Sequence, residues 1–125
     1  MVVEESVSGM TALQPLAYGY VRDDLINSRD REASDDALRN AARSMGFELA
    51  AVFHEPPPQN ALLPPAFVDL VQECRRAAAH LVVTMPGHLS NMSTSRMVLE
   101  EVLHVRAAAQ VHEVADPTSP VDRSR

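Results

Sequence analysis

Apolar residues fall in short clusters along the chain, and their spacing switches between strand-like runs and helix-like periodicity. Leu16–Arg22, LAYGYVR, is an apolar run that ends on charges, and it predicts a first strand in which Gly19 marks the close approach of another backbone. The polar stretch 23–33 predicts a loop. Ser34 is the predicted N-cap of a helix over Asp35–Met45, with Asp35 and Asp36 in the first turn, Leu38 and Ala41 at helical spacing, and Gly46 just past the end. Phe47–His54 is nearly continuous in apolar residues, as a parallel strand covered on both faces requires. Glu55–Pro65 holds five prolines and excludes regular structure, and Pro65 suits the first position of a helix over Pro65–Ala79. Phe67, Leu70, Val71 and Cys74 share one stripe of that helix. His80–Met85 is a third strand broken by Pro86-Gly87. Ser90 or Asn91 caps a third helix over about Met92–Arg106, carrying Met97, Val98, Val102 and Val105 on one side with Leu99 and Leu103 widening the stripe. Ala108–Val114 is a fourth strand.

The order β-α-β-α-β-α-β implies a three-layer α/β/α domain with a mostly parallel sheet of four to five strands and right-handed crossovers. At 125 residues one domain is expected, over 16–114, with a loose leader at 1–15 and a disordered, proline-containing tail at 115–125. The single cysteine, Cys74, excludes an internal disulfide and suits a buried thiol. No apolar run approaches the length of a membrane span and the start of the chain is not basic, so a cytoplasmic protein is expected.

Charge narrows the function classes. The net charge is −6, there is no lysine, and the arginines are scattered, usually beside acids. Such a surface repels a phosphate backbone, which argues against direct DNA binding. His80, His88, His104 and His112 lack ligand spacing and no second cysteine joins them, so neither a metal nor a cofactor is expected. No glycine-rich phosphate loop exists.

In open α/β sheets chemistry sits where the strands end. The loops there carry Arg22, Asp23 and Asp24; His54 and Glu55; and Gly87, His88, Ser90 and Asn91. Two readings stand side by side. Arg22 binds a small anion with His88 as acid or base, or Arg22 pairs with Asp24 and the histidines are ordinary loop residues. Ser90, Ser93, Thr94 and Ser95 either receive a phosphate at a helix start or simply cap that helix.

The order of motifs resembles a known family. Tyr18-Gly19-Tyr20-Val21-Arg22, Ser44-Met45-Gly46-Phe47-Glu48-Leu49, Pro65-Ala66-Phe67, Leu81-Val82-Val83 and Gly87-His88-Leu89-Ser90-Asn91 are similar, in sequence and spacing, to the catalytic domain of resolvase/invertase serine recombinases. The resemblance covers about residues 16–114 and implies a resolvase-like fold. It also implies a dismantled site. The first-strand arginine of the family is present as Arg22, but its nucleophilic serine falls on Asp24. The arginine before the Pro-Ala-Phe segment falls on Pro64, the Asp-Arg pair of the third-strand loop on Gly87 and His88, and that loop's later arginine on Asn91. Neither His88 nor Asn91 offers the bidentate donors of a guanidinium, and a carboxylate at Asp24 repels a phosphate. Ser28, the nearest hydroxyl in sequence, lies in the loop beyond the strand. The family's continuation into a long helix and a helix-turn-helix is not seen either. The expectation is a bacterial, catalytically inactive serine-recombinase-like domain serving as a protein-interaction or regulatory module, as a homodimer or with another protein partner. Exposed Leu62 and Leu63 of the proline loop and any uncovered part of the third helix are the candidate contacts. A repurposed anion-binding enzyme using Arg22, Asp24 and His88, or an accessory factor of DNA recombination, are the alternatives.

Overall fold

The computed structural model describes residues 14–57, 63–90 and 94–114. Residues 1–13 of the expected leader, Leu62, Asn91, Ser93 and the tail over 115–125 lie outside the described residues. Among the described residues four strands form one sheet: β1 (Leu16–Arg22), β2 (Glu48–Glu55), β3 (Leu81–Thr84) and β4 (Gln110–Glu113). Their order is β2-β1-β3-β4 and every neighbouring pair is parallel. Between them run α1 (Arg31–Ser44), α2 (Pro65–Ala77) and α3 (Arg96–Ala107).

Alternation along β1 separates two cores. Ala17 and Val21 face α1, where Leu38 and Ala42 pack with Leu49, Leu81 and Val83. Tyr18 and Tyr20 face the other way, onto Phe67, Leu70, Val71 and Cys74 of α2 and Leu99 and Leu103 of α3. Phe67 stands edge-on to Tyr20 with ring centroids 5.7 Å apart. Burying each such side chain contributes about 1.5–3 kcal/mol. The Cys74 thiol is buried in this layer, and desolvation pushes it up to about 12.

Gly19 sits on the α1 face of the central strand. A Cβ there would lie 2.9 Å from Leu38 Cδ1 and 3.1 Å from Val52 Cγ2. The close neighbours are side chains rather than the second backbone that the sequence suggested. The missing side chain lets α1 settle onto β1.

Several boundaries differ from expectation. α1 begins at Arg31, four residues early, and Ser34 is a buried residue within the helix rather than its cap. Short 3-10 turns at Asp23–Leu25 and Ser28–Asp30 occupy the stretch expected to be loop. At its other end α1 terminates as predicted: Gly46 has φ +86°, and Phe47 N–H donates to Ala42 O at 2.9 Å. α3 starts at Arg96, and Ser95 caps it by accepting from Val98 N–H at 3.4 Å. Leu99 and Leu103 of the expected stripe are buried with Ala107, and Val102 packs partly against the same core, whereas Met97, Val98 and Val105 face outward, against expectation. The expected stripe was too wide for one buried face, and the smaller residue Ala107 completes the part that packs into the core. No helix of the described residues is long and apolar enough to cross a membrane.

Candidate functional site at the carboxyl edge of the sheet

Arg22 ends β1 and is 4% exposed. Its backbone is held from β3: the Arg22 N–H donates to His88 Nδ1 at 3.0 Å. Its guanidinium is gripped on two sides. Nε and Nη2 donate to Asp24 Oδ1 and Oδ2 at 3.2 and 2.8 Å, and Nη1 donates to the Ser90 carbonyl at 2.7 Å. Asp24 reaches back because the chain turns into a 3-10 helix directly after the strand. The bonds from Arg22 hold the Asp24 carboxyl below the usual carboxylate range despite partial desolvation.

The loop after β3 supplies the rest. Gly87 has φ +80°, which only glycine adopts freely, and the tight turn it makes lets His88 N–H donate to Met85 O at 3.2 Å. Leu89, 1% exposed, anchors the loop in the α2–α3 core. His88 is therefore carried inward and buried. Desolvation, then the positive charge of Arg22, lowers its proton affinity. With Nδ1 accepting from the Arg22 amide, the neutral ring carries its proton on Nε2. Below this layer Thr84 Oγ1 donates to Tyr20 O at 2.6 Å, locking the ends of β1 and β3 together.

Arg22, Asp24 and His88 thus converge, as the sequence reading placed them. Gly87 serves as turn rather than ligand-facing residue. Pro64 is buried and stands just before α2. Asn91 is outside the described residues. Ser28 opens the second 3-10 turn on the surface, and the one contact from Ser90 to Arg22 is through its carbonyl, not its hydroxyl. Thr84 spends its hydroxyl on the backbone.

Two arrangements at this edge went unforeseen. The first is Glu55, 1% exposed at the end of β2 and beside Arg22 in the sheet register. Oε1 accepts from the Tyr20 hydroxyl at 2.7 Å and from Phe67 N–H at 3.0 Å, while Oε2 accepts from Ala66 N–H at 3.0 Å. It caps α2, whose N-terminus favours negative charge. Burial, followed by the bond to Glu55, raises the Tyr20 hydroxyl above its ordinary range. The signal available in sequence was an acid ending a strand ahead of a proline-headed helix. The second is His54, whose Nδ1 lies 2.9 Å from Asp23 Oδ1 and whose Nε2 lies 3.2 Å from Asp35 Oδ1 and 3.4 Å from Asp35 Oδ2. Asp35 Oδ1 is buried without a well-directed hydrogen bond. The two carboxylates meet opposite nitrogens of the ring and do not converge on one point.

Comparison with solved structures decides the fold family. The chain superimposes on a structure described as the C-terminal catalytic domain of ISC1926 TnpA, an IS607-like serine recombinase, with a TM-score of 0.62 and 16% identity, covering 83% of this chain and 70% of that one. The fold is serine-recombinase-like. No family model matches the sequence, and no curated protein matches it either. The serine-recombinase likeness therefore rests on architecture: the four-stranded parallel sheet, its order, and the helices on both faces.

Proposed function

We propose that this chain is a catalytically inactive serine-recombinase-like domain that works as a protein-interaction or regulatory module. The supporting observation is the state of Arg22: both sides of its fork are already bonded within the chain, by the Asp24 carboxylate and the Ser90 carbonyl. A phosphodiester entering there meets a negative charge at 2.8 Å from the guanidinium in place of a hydroxyl nucleophile. The positions where the resemblance calls for further arginines hold Pro64, His88 and Asn91, none of which donates like a guanidinium.

The test is direct. Full-length protein incubated with supercoiled plasmid and separated under denaturing conditions gives no protein–DNA adduct and no nicked product. A covalent adduct, lost in Arg22→Ala, would overturn the assignment.

The convergence of Arg22, Asp24 and His88 supports a second reading, a small-anion site. On that reading sulfate or phosphate raises the melting temperature of the wild-type chain, and Arg22→Met abolishes the increase. An accessory role on DNA is separated from both by a gel shift at moderate salt, where an acidic chain with scattered arginines leaves the duplex unshifted.

A further inference from the structure

β4 is an edge strand: β3 covers one side, and no described strand pairs with the other. Gln110 N–H donates to His80 O at 3.0 Å and Val114 N–H to Thr84 O at 2.8 Å, so Gln110, His112 and Val114 direct their backbone groups at β3. By alternation the amides and carbonyls of Val111 and Glu113 point outward. A groove of about 370 Å³ runs beside this edge, between β4 and α3, lined chiefly by Met97, Glu100, Glu101, His104, Gln110 and Val111. Met97 is 79% exposed, the largest value among the exposed large hydrophobic residues, and Ala109 and Val111 supply apolar floor.

The carboxylates at the groove are not balanced evenly. Glu100 and Glu113 share Arg96, at 2.6 and 2.7 Å. Glu101 lines the groove with no ion pair among the described residues, and no arginine lines it. An apolar trough, an acidic wall and an unpaired strand edge lie side by side.

We propose that the β4–α3 groove is a strand-addition site for an extended peptide of another protein, in which an apolar residue is flanked, two positions away on each side, by basic ones. This rests on the interaction-module reading above and names its surface and the chemistry of its partner. Strand addition gives the peptide main-chain hydrogen bonds to Val111 and Glu113, and every second side chain then points at α3. β4 has four residues, so about four or five peptide residues fit at roughly 3.3 Å each. A central apolar side chain meets Met97 and Val111, and a flanking guanidinium or ammonium meets Glu101.

The experiment uses the full-length chain, isotopically labelled, titrated with acetyl-Arg-Thr-Val-Thr-Arg-amide and, as control, with the same peptide carrying Glu for Arg. The basic peptide produces saturable amide shifts and slowed hydrogen exchange at Val111 and Glu113, and the acidic peptide does not. Glu101→Arg weakens binding roughly tenfold, added salt weakens it further, and Met97→Ala weakens it without altering the fold. The proposal is overturned by equal binding of both peptides, by shifts that map elsewhere, or by no binding. Protection of Val111 and Glu113 already present in the free chain overturns it too: if independent of concentration, another part of the same chain covers the edge, and if concentration-dependent, a second copy does. The plasmid-adduct assay answers the question of catalysis separately, so failure of one leaves the other standing.

Discussion

Replacing Asp24 by alanine removes both charge-assisted bonds that the Arg22 guanidinium donates to its carboxylate. The cation that remains has a side chain 5% exposed, while its departed partner was 26% exposed. Breaking a fully buried pair costs about 3–5 kcal/mol, and breaking a surface pair costs about 0.2–1 kcal/mol. The Arg22–Asp24 pair lies between these limits. Water reaches the Asp24 side, and Arg22 keeps its bond to the Ser90 carbonyl, so a loss of about 2 kcal/mol is expected. Against a total stability of roughly 5–15 kcal/mol this is a large fraction. Arg22→Met, which keeps the apolar stem, isolates the partner's contribution. The double variant should be less destabilised than the sum of the singles, leaving a coupling of about 1–2 kcal/mol. Urea denaturation at neutral pH measures all four species, and repeating it in about 1 M salt, where the Debye length is near 3 Å, should leave most of the coupling intact because the pair is sheltered. A change under about 0.5 kcal/mol in Asp24→Ala, or strict additivity, would refute the claim that Asp24 neutralises Arg22.

Four further outcomes follow from the same geometry. Glu55→Gln presents an amide N–H₂ to a helix N-terminus and should cost about 2–4 kcal/mol in chemical denaturation; a neutral result would remove Glu55 as the cap of α2. Gly19→Ala drives a methyl into Leu38 and Val52 and should cost about 1–3 kcal/mol, relieved in part by Leu38→Ala in the double variant. Phe67→Ala, fully buried against Tyr20, should cost about 3–5 kcal/mol, and less than about 1 kcal/mol would mean that the α2–α3 layer is not packed as described. Stability should fall with acid in two windows. His88 is lowered in the folded chain, so its contribution is complete above the unfolded value of about 6.5 and declines as pH drops below it. Asp24 is lowered too, so its contribution declines below the ordinary carboxylate value of about 3.9. His88→Gln should flatten the first window, and unfolding curves that stay unchanged between neutral pH and pH 5 in the wild type would contradict the burial of a neutral His88.

Much of this architecture was legible from local pattern because strands of a parallel sheet are apolar on both faces. Leu16–Arg22 matches β1 residue for residue, and Pro65 and Gly46 mark the helix ends they predicted. Capping was less legible, since several hydroxyl and acidic residues compete for each helix start and only tertiary packing chooses. Ser34 faces the α1 core instead of capping, and Ser95 does the capping for α3. That Arg22, Asp24 and His88 share the carboxyl edge of the sheet was legible, because the alternation of strands and helices puts the ends of parallel strands on one side; that their side chains converge was not. The Glu55 cradle and the Asp23–His54–Asp35 bridge did not, because each joins side chains 11 to 35 positions apart through directions that only the assembled sheet sets.

The Glu55 cradle also bears on how the protein meets dissolved ions. An α/β sheet ordinarily leaves some positive potential uncompensated beyond its strand tips, where helix amides and basic side chains wait for a visitor. Here the first turn of α2 is satisfied by one of the chain's own carboxylates and the Arg22 fork by another. This margin of the molecule is its own counterion.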